Sequence, residues 1–222
     1  LMNIRGFDNP NSPVPNCHLL LSKKREIYMV AEKKKVSKLV KEGKIKSNQV
    51  IVANQFEKLI SSLKKGKISI DEKTCSLHNE NILLKRFKLI KKNDPIYLLK
   101  AVKNKKELDN IIQSHIIDGV ALTKFLYWIK NVNNKKITEY DAQNKLHKFR
   151  KLNKKYLYPS FNTIAGSGKN AAIIHYRASK KTSKIIEKNE IFLCDSGGQY
   201  KYGTTDVTRT ICFDKPKKNI KN

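Results

Sequence analysis

The sequence predicts an α/β module followed by an α+β half. Between about residues 17 and 90, short apolar runs alternate with charged amphipathic stretches, which is typical of an α/β module. Two helical patterns come next, and strand patterns linked by glycine-rich or lysine-rich turns follow them, which indicates an α+β domain. We therefore expect one domain at residues 1–94 and a second at residues 95–222.

The first module is predicted to contain a hairpin, two helices and two further strands. The hairpin consists of CHLLLS and EIYMVAE around SKKR, and the later strands are VIVAN and ISID. The helices are KKKVSKLVKEG and FEKLISSLKKG. Gly43 and Gly66 are expected to cap their C-termini, because glycine adopts left-handed backbone angles without a steric penalty. The segment KKNDPIYLLKAVKN around Pro95 separates this module from the second half.

The second half is predicted to begin with two capped helices. Asn104 and Glu107 have the spacing of a capping box at the start of a long helix, and Thr138 with Asp141 starts a shorter one. Four strands are then expected, in FNTIAGSG, AAIIHY, EIFLCDSG and TDVTRTICF. The final residues, KPKKNIKN, are predicted to form a solvated basic tail.

The net charge of +28 permits a nucleic-acid surface, but the type of basic residue argues against a specific one. The chain has 41 lysines spread along its length and only six arginines. Base and phosphate recognition depends mainly on the bidentate arginine fork. Abundant Lys, Asn and Ile together indicate a compositional bias that loads solvated faces with lysine.

The cysteines and the hydropathy pattern indicate a protein of a reducing compartment. Cys17, Cys75, Cys194 and Cys212 form no CxxC pair, and free thiols are the expectation. No apolar run approaches the roughly 18 residues of a membrane span, and no signal peptide is visible. We therefore expect a cytoplasmic protein with no membrane association.

Asp195 and Asp206 are candidate metal ligands. Asp195 ends the apolar run IFLCD and Asp206 opens DVTRTICF, so two antiparallel strands could bring the carboxylates side by side. Two carboxylates in a partly desolvated site need a shared proton or bound cations, and hard oxygen ligands suit Mn²⁺ or Mg²⁺. Two such ions can activate a water for attack on a peptide carbonyl. From the residues alone, a surface or turn role remains open for both.

The segment CDSGGQYKYGTTDVTRTICF resembles the signature of the aminopeptidase P family of metallopeptidases, which has the pita-bread fold. LMNIRG, the KTCS element and the region around PIYLLKAVKN are also similar to that family. The resemblance implies a creatinase-like α/β middle domain, present in part, followed by the first half of a pita-bread catalytic domain.

The resemblance also implies functions for three residues. Asp195 and Asp206 match the two metal-binding aspartates, the second of which bridges both metals. FNTIAGSGKNAAIIHY matches the element whose histidine contacts the substrate near the scissile bond, and here that residue is His175. Without the resemblance, a packed core histidine after three apolar residues is an equal alternative for His175; with it, the substrate contact is favoured.

The family implies a metal-dependent Xaa-Pro aminopeptidase, which removes an N-terminal residue when proline follows it. Two divalent cations, with Mn²⁺ as the expected ion, would be the cofactors. Peptides with proline at the second position would be the substrates, and a homodimer is possible in the full-length protein. The family's remaining histidine and glutamate ligands lie downstream of TTDVTRT, so we expect this chain to be inactive alone.

Three alternatives remain open at this point. A non-catalytic pita-bread protein could bind peptides, and a nucleic-acid-binding protein could use the charge of +28. A prolidase shares the fold and the metals but cleaves dipeptides. The similarity to the middle domain of the aminopeptidases favours an aminopeptidase over a prolidase.

Overall fold

The computed structural model describes residue 2, residues 4–132 and residues 136–215. The chain divides into two compact units, one made of Leu1–Asp8 and Val14–Val102 and the other of Asn9–Pro13 and Lys103–Asn222. The domain boundary before residue 95 stays a prediction. The predicted basic tail lies almost entirely outside the described residues.

The first unit alternates short strands and helices, as predicted for an α/β module. Its strands are β1 (His18–Leu21), β2 (Ile27–Val30), β3 (Val50–Ile51), β4 (Gly66–Ile70) and β5 (Phe87–Lys91). Its helices are α1 (Lys33–Lys41), α2 (Phe56–Ser62), α3 (Leu77–Leu84) and α4 (Pro95–Ala101). The segment predicted as a separator thus contains α4, whose first turn is capped by the Asp94 carboxylate, which accepts from the Ile96 N–H at 2.9 Å.

The predicted hairpin is confirmed. Strands β1 and β2 pair antiparallel, with His18 opposite Val30 and Leu21 opposite Ile27, and β3 joins β2 in parallel. Strands β4 and β5 form a separate parallel pair, connected through α3. The sequence prediction included neither α3 nor β5.

Of the two predicted glycine caps, one is confirmed and one is wrong. Gly43 lies just after α1 with φ of 69°, the left-handed conformation that ends many helices. Helix α2 instead ends at Ser62, because Leu63 adopts an extended conformation (ψ of 153°) and breaks the helical backbone. Gly66 is therefore the first residue of β4 rather than a cap.

The second unit begins with two helices, and strands follow. The helices are α5 (Lys105–Asn131) and α6 (Glu139–Lys151). The strands are β6 (Tyr156–Pro159), β7 (Ile164–Ser167), β8 (Phe192–Ser196), β9 (Gly198–Tyr200), β10 (Gly203–Thr204) and β11 (Val207–Ile211). This order confirms the predicted α+β arrangement.

Both predicted capping boxes of the second unit are present. The Asn104 side chain accepts from the Glu107 N–H and the Glu107 carboxylate accepts from the Asn104 N–H, each at 2.9 Å. Thr138 and Asp141 make the same reciprocal pair at the start of α6, each at 3.1 Å. Each pair satisfies two backbone N–H groups at a helix start, so the sequence defines where both helices begin.

The strands of the second unit form two three-stranded antiparallel sheets, in the orders β10-β9-β6 and β11-β8-β7. One face of the β11-β8-β7 sheet packs against α5 and α6. The buried side chains of this core are Leu122, Phe125, Ile129, Ala142, Leu146, Ala165, Phe192 and Cys194.

The predicted strand in AAIIHY is not formed. Residues Gly168–Ala172 form a 3₁₀ turn after β7, and the following residues bend rather than extend. The turn folds back over β7, where a β-carbon on Gly166 would overlap the backbone of Asn170 and Ala171. Glycine at 166 therefore permits a close approach that the apolar pattern did not indicate.

None of the helices formed by the described residues is long and apolar enough to cross a bilayer.

Replacing Phe125 with alanine should strongly destabilise the second unit. The Phe125 side chain is fully buried and packs near Trp128 and Phe192, with ring centroids 6.0 and 6.5 Å away. We expect the free energy of unfolding to fall by about 3–5 kcal/mol, in urea titrations followed by Trp128 fluorescence. Tyr127, which is 71% exposed on the same helix, is the matched control. Its replacement by alanine should change the free energy of unfolding by at most about 0.5 kcal/mol, and equal losses would contradict the assigned core.

Candidate metal centre

Strand β8 presents Asp195 on the face opposite the helices. Along β8, Phe192, Cys194 and Ser196 are buried, whereas Leu193 and Asp195 are partly exposed. This alternation follows from the two-residue period of a strand, which directs successive side chains to opposite faces. The apolar residues of IFLCD thus anchor the strand on the core and direct the Asp195 carboxylate away from it.

The pairing of β8 with β11 brings the two predicted aspartates to neighbouring strands. Thr208 lies opposite Asp195, and Val207 lies opposite Ser196. Asp206 precedes β11 by one residue and is two positions from Thr208, the separation that puts side chains on one face of a strand. Continued by one residue, the register puts Asp206 diagonally across from Asp195, and diagonal neighbours in such a pair lie about 7–8 Å apart. The predicted antiparallel arrangement of these strands is confirmed.

Hydrogen bonds from the β8–β9 connection fix the backbone next to Asp206. Thr205 is buried and exchanges hydrogen bonds with Gly198, whose N–H donates to the Thr205 hydroxyl and whose carbonyl accepts from the Thr205 N–H, both at 2.9 Å. The Ser160 hydroxyl donates to the Thr205 carbonyl at 2.8 Å. A β-carbon on Gly197 would overlap both the Thr205 carbonyl oxygen and the Ser160 hydroxyl. Glycine is therefore required there to let Thr205, and with it Asp206, approach β8.

The chemistry of the two carboxylates fits divalent cations. The Thr208 hydroxyl donates to Asp195 Oδ1 at 2.8 Å, which orients the group without neutralising it. Among the described residues, no lysine, arginine or histidine forms an ion pair with Asp195 or Asp206. In a chain of net charge +28, two neighbouring acids without a cationic partner are suited to hold hard metal ions.

The described residues supply only part of a metal-ligand set. They contain no group of three or more His, Cys, Asp or Glu side chains arranged to hold a metal ion. Asp195 and Asp206 are thus candidates for two ligands of a larger set.

A buried ion pair lies beneath β8. The Arg150 guanidinium donates to both Asp118 oxygens, at 2.6 and 3.0 Å, and also to the Ser196 hydroxyl at 3.0 Å. The Tyr200 hydroxyl donates to Asp118 at 2.7 Å. Burial, followed by the contact with the Asp118 carboxylate, raises the pKa of Tyr200. This cluster connects α5 and α6 to the residue after Asp195 and so fixes the end of β8.

Cys194, next to Asp195, behaves as a small core residue. It is 1% exposed, and burial raises the pKa of its thiol to about 12. Because the thiolate is the reactive form, this cysteine is not a nucleophile at neutral pH. Its position in the core is that of a small hydrophobic residue.

His175 lies on the bent segment that follows the 3₁₀ turn and not on a strand. Its side chain is exposed and its φ is 56°, in the left-handed region that residues other than glycine seldom adopt. The 3₁₀ turn itself lies against β8. The interpretation of His175 as a packed core histidine is therefore wrong, because the three preceding residues do not form a buried strand.

Two domain families match the chain and together cover nearly all of it. Residues 109–222 match metallopeptidase family M24, and residues 1–107 match the creatinase/prolidase N-terminal domain. The M24 match covers more than half of the sequence. The chain belongs to metallopeptidase family M24.

Known members of the family are longer than this M24 chain. It is 36% identical over 223 residues to an Xaa-Pro aminopeptidase of Drosophila melanogaster. The aligned region covers 97% of this chain and 36% of the relative. A probable Xaa-Pro aminopeptidase P of Coccidioides posadasii is 35% identical, and the aligned region covers 97% of this chain and 35% of that relative. The chain therefore spans about a third of the length of these curated relatives.

A solved structure with the same fold is the X-prolyl aminopeptidase of Caenorhabditis elegans. It is 27% identical to this M24 chain and superposes with a TM-score of 0.82. The superposed region covers 98% of this chain and 37% of the C. elegans chain. That protein is described as a cytosolic enzyme with a di-nuclear active site. The predicted fold class, a creatinase-like α/β domain followed by part of a pita-bread catalytic domain, is confirmed.

Sequence reasoning missed the buried polar groups of this M24 chain. None of Asp118, Glu139 and Arg150 was predicted to be buried, yet each is at most 2% exposed. Asp118 lies next to Gly119 among the apolar positions of its helix, and a charged residue at such a position indicates a buried acid. No local pattern could have revealed that its partner, Arg150, lies 32 residues away.

Replacing Asp118 with asparagine should loosen the layer beneath the candidate site. The change leaves the Arg150 guanidinium buried without a counter-charge, and we expect a local loss of stability of about 3–5 kcal/mol. Hydrogen exchange followed by mass spectrometry should show faster exchange in β8 and β9.

The control for this prediction is Glu57→Gln, which breaks the exposed ion pair between Glu57 and Lys85. Exposed pairs contribute little to stability, so exchange should remain as in the parent protein. Unchanged protection of β8 in the Asp118 variant would show that the buried pair does not support this strand.

Proposed function

We propose that this chain is part of a metal-dependent Xaa-Pro aminopeptidase that hydrolyses the N-terminal Xaa-Pro bond of peptides. The observation that carries the proposal is the pairing of β8 with β11. In an M24 chain, it brings together a carboxylate of β8 and one directly before β11, neither of which has a cationic partner among the described residues. Because the chain spans about a third of its relatives, the activity is proposed for the full-length protein.

In this proposal, Asp195 and Asp206 bind two divalent cations, with Mn²⁺ as the expected ion. The hydrogen bond from Thr208 holds one oxygen of Asp195 and so limits rotation of the carboxylate. When bound, two such ions polarise a water and stabilise the oxygens that develop negative charge during peptide hydrolysis. The di-nuclear active site described for the C. elegans enzyme supports two metals rather than one.

The proposed role of His175 is to contact the substrate. Its imidazole is exposed and can donate a hydrogen bond to the carbonyl oxygen of the scissile bond. The bond before proline is a tertiary amide without an N–H, so an enzyme that recognises it cannot use that donor. A donor directed at the carbonyl oxygen is therefore a suitable contact for this substrate.

Three further expectations belong to the same proposal. Peptides with proline at the second position are the proposed substrates, and the names of the curated relatives support this class. A homodimer of the full-length protein and a cytoplasmic location are proposed as well. The description of the C. elegans enzyme as cytosolic supports the location.

The proposal can be tested by replacing each aspartate with asparagine in the full-length protein. We expect Asp195→Asn and Asp206→Asn to lower bound metal, measured by elemental analysis. Release of the N-terminal residue from an Arg-Pro-Pro peptide should fall more than about 100-fold, since substitutions of residues that only support ligands already cost 10–100-fold. Asp109→Asn, the same change at an exposed carboxylate of α5, should alter neither quantity.

Other outcomes would favour the alternatives. A parent protein that binds two metals but cleaves only dipeptides ending in proline would be a prolidase. A parent protein that binds no metal would be a non-catalytic member of the fold. The 222-residue chain alone should release no amino acid even with Mn²⁺ added, because the part of it that the structure describes offers only two candidate ligands.

A nucleic-acid-binding function is the second candidate, and the net charge of +28 is the observation that favours it. Specific binding would weaken steeply with salt and would depend on the nucleotide sequence. We expect instead weak binding to nucleic acids without preference for a nucleotide sequence, because lysines supply most of the positive charge. Tight, sequence-dependent binding at 150 mM salt, about physiological ionic strength, would overturn this expectation.

A further inference from the structure

Glu139 is a buried acid whose hydrogen bonds converge from separate parts of the second unit. Its side chain is 0% exposed, at the first turn of α6. Oε1 accepts from the Ser167 N–H at 2.7 Å and from Asn170 Nδ2 at 3.0 Å. Oε2 accepts from the Tyr176 hydroxyl at 2.7 Å, the Lys184 N–H at 2.9 Å and Asn170 Nδ2 at 3.1 Å.

These hydrogen bonds explain how a carboxylate is retained in the interior without a cation. Within the described residues Glu139 forms no ion pair, so neutral donors alone replace its hydration. The N-terminus of α6 adds the positive end of a helix dipole. A buried carboxylate is costly unless its hydrogen bonds are satisfied, and here four residues satisfy it.

The donors enclose the segment that carries His175. Asn170 lies five residues before His175, and Tyr176 follows it directly. Within the segment, the Ile173 N–H donates to the Asn170 carbonyl and the Tyr176 N–H donates to the Ile173 carbonyl, each at 3.2 Å. Both ends of the bend that contains His175 are therefore bound to the Glu139 carboxylate.

The backbone of His175 shows why such an attachment is needed. A left-handed conformation is unfavourable for a residue with a β-carbon, and it persists where surrounding contacts determine it. His175 is exposed and packs against no core, so its own side chain does not provide those contacts. The bonds from Asn170 and Tyr176 to Glu139 do.

We propose that Glu139 is a positioning residue, which holds the His175 segment, through Asn170 and Tyr176, in the conformation that contacts the substrate. This inference rests on the proposed function, because it assigns Glu139 a purpose in substrate contact by His175. Because its side chain is fully buried and its oxygens are occupied by donors of the second unit, we assign Glu139 no direct contact with substrate or metal.

The test uses Glu139→Gln in the full-length, metal-loaded protein. Glutamine has the same shape but presents an N–H₂ group to donors, so at least one hydrogen bond to the segment is lost. We expect kcat for an Xaa-Pro peptide to fall about 10–100-fold, because small displacements of a positioned group have effects of this size. KM should change less than about threefold, and the two bound metals should remain.

Asp141→Asn is the matched control, because it weakens the capping box in the same turn of α6 without contacting the His175 segment. It should lower the melting temperature yet leave kcat within about twofold of the parent value. Equal losses of kcat in both variants would reduce Glu139 to a structural role and overturn the proposal.

Tyr176→Phe provides a second variant if Glu139→Gln does not fold. It removes the hydrogen bond that the Tyr176 hydroxyl donates to Glu139 and the one that it accepts from Asn170 Nδ2. The other four donor contacts of Glu139 remain, so kcat should fall about 3–10-fold. A kcat within about twofold of the parent in a folded Tyr176→Phe protein would contradict the proposal.

Hydrogen exchange of residues 170–176 separates failure of this inference from failure of the proposed function. If the parent protein does not cleave Xaa-Pro peptides, the proposed function is wrong, but faster exchange in the Glu139→Gln variant would still support the positioning of the segment. Unchanged exchange in these residues would overturn the inference whatever the activity.

Discussion

Strand β8 is paired on both sides, and this pairing determines where the candidate ligands lie. At Asp195, β7 contributes Ile164 as one partner and β11 contributes Thr208 as the other. Its buried side chains pack on α5 and α6, and the Arg150 guanidinium contacts Ser196 from below. Because a slip of one residue would exchange the two faces of the strand, the same core that stabilises β8 also selects the face of Asp195.

The acids of the second unit divide by their surroundings. Asp118 is paired with an arginine and Glu139 is surrounded by neutral donors, so both are satisfied inside the protein. Asp195 is partly exposed and Asp206 is exposed, and neither has a cationic partner among the described residues. In a chain with 41 lysines, this separation indicates that the buried acids hold neighbouring segments in place, and it supports the proposed role of Asp195 and Asp206 as metal ligands.

The sequence predicted the parts of this fold that depend on local rules. The strand IFLCD follows from its alternation, and both helix starts of the second unit follow from capping boxes. The run AAIIHY was predicted as a strand because it is apolar, but the chain turns there in a 3₁₀ turn, and glycine at 166 leaves room for the close approach of that turn. The contacts of Glu139 join residues 28 to 45 positions apart, and no local pattern records such distances.

The wrongly predicted strand AAIIHY and the unpredicted buried acid Glu139 are in direct contact. Local sequence rules tend to be broken where function requires an unfavourable conformation that other contacts must support. Here the mispredicted segment contains the left-handed His175, and the unpredicted buried acid is the group that binds both ends of that segment. A left-handed backbone at a residue other than glycine destabilises the fold, and the carboxylate that supports it is buried only because its donors come from this same segment and its neighbours. This direct connection supports the proposal that Glu139 places His175.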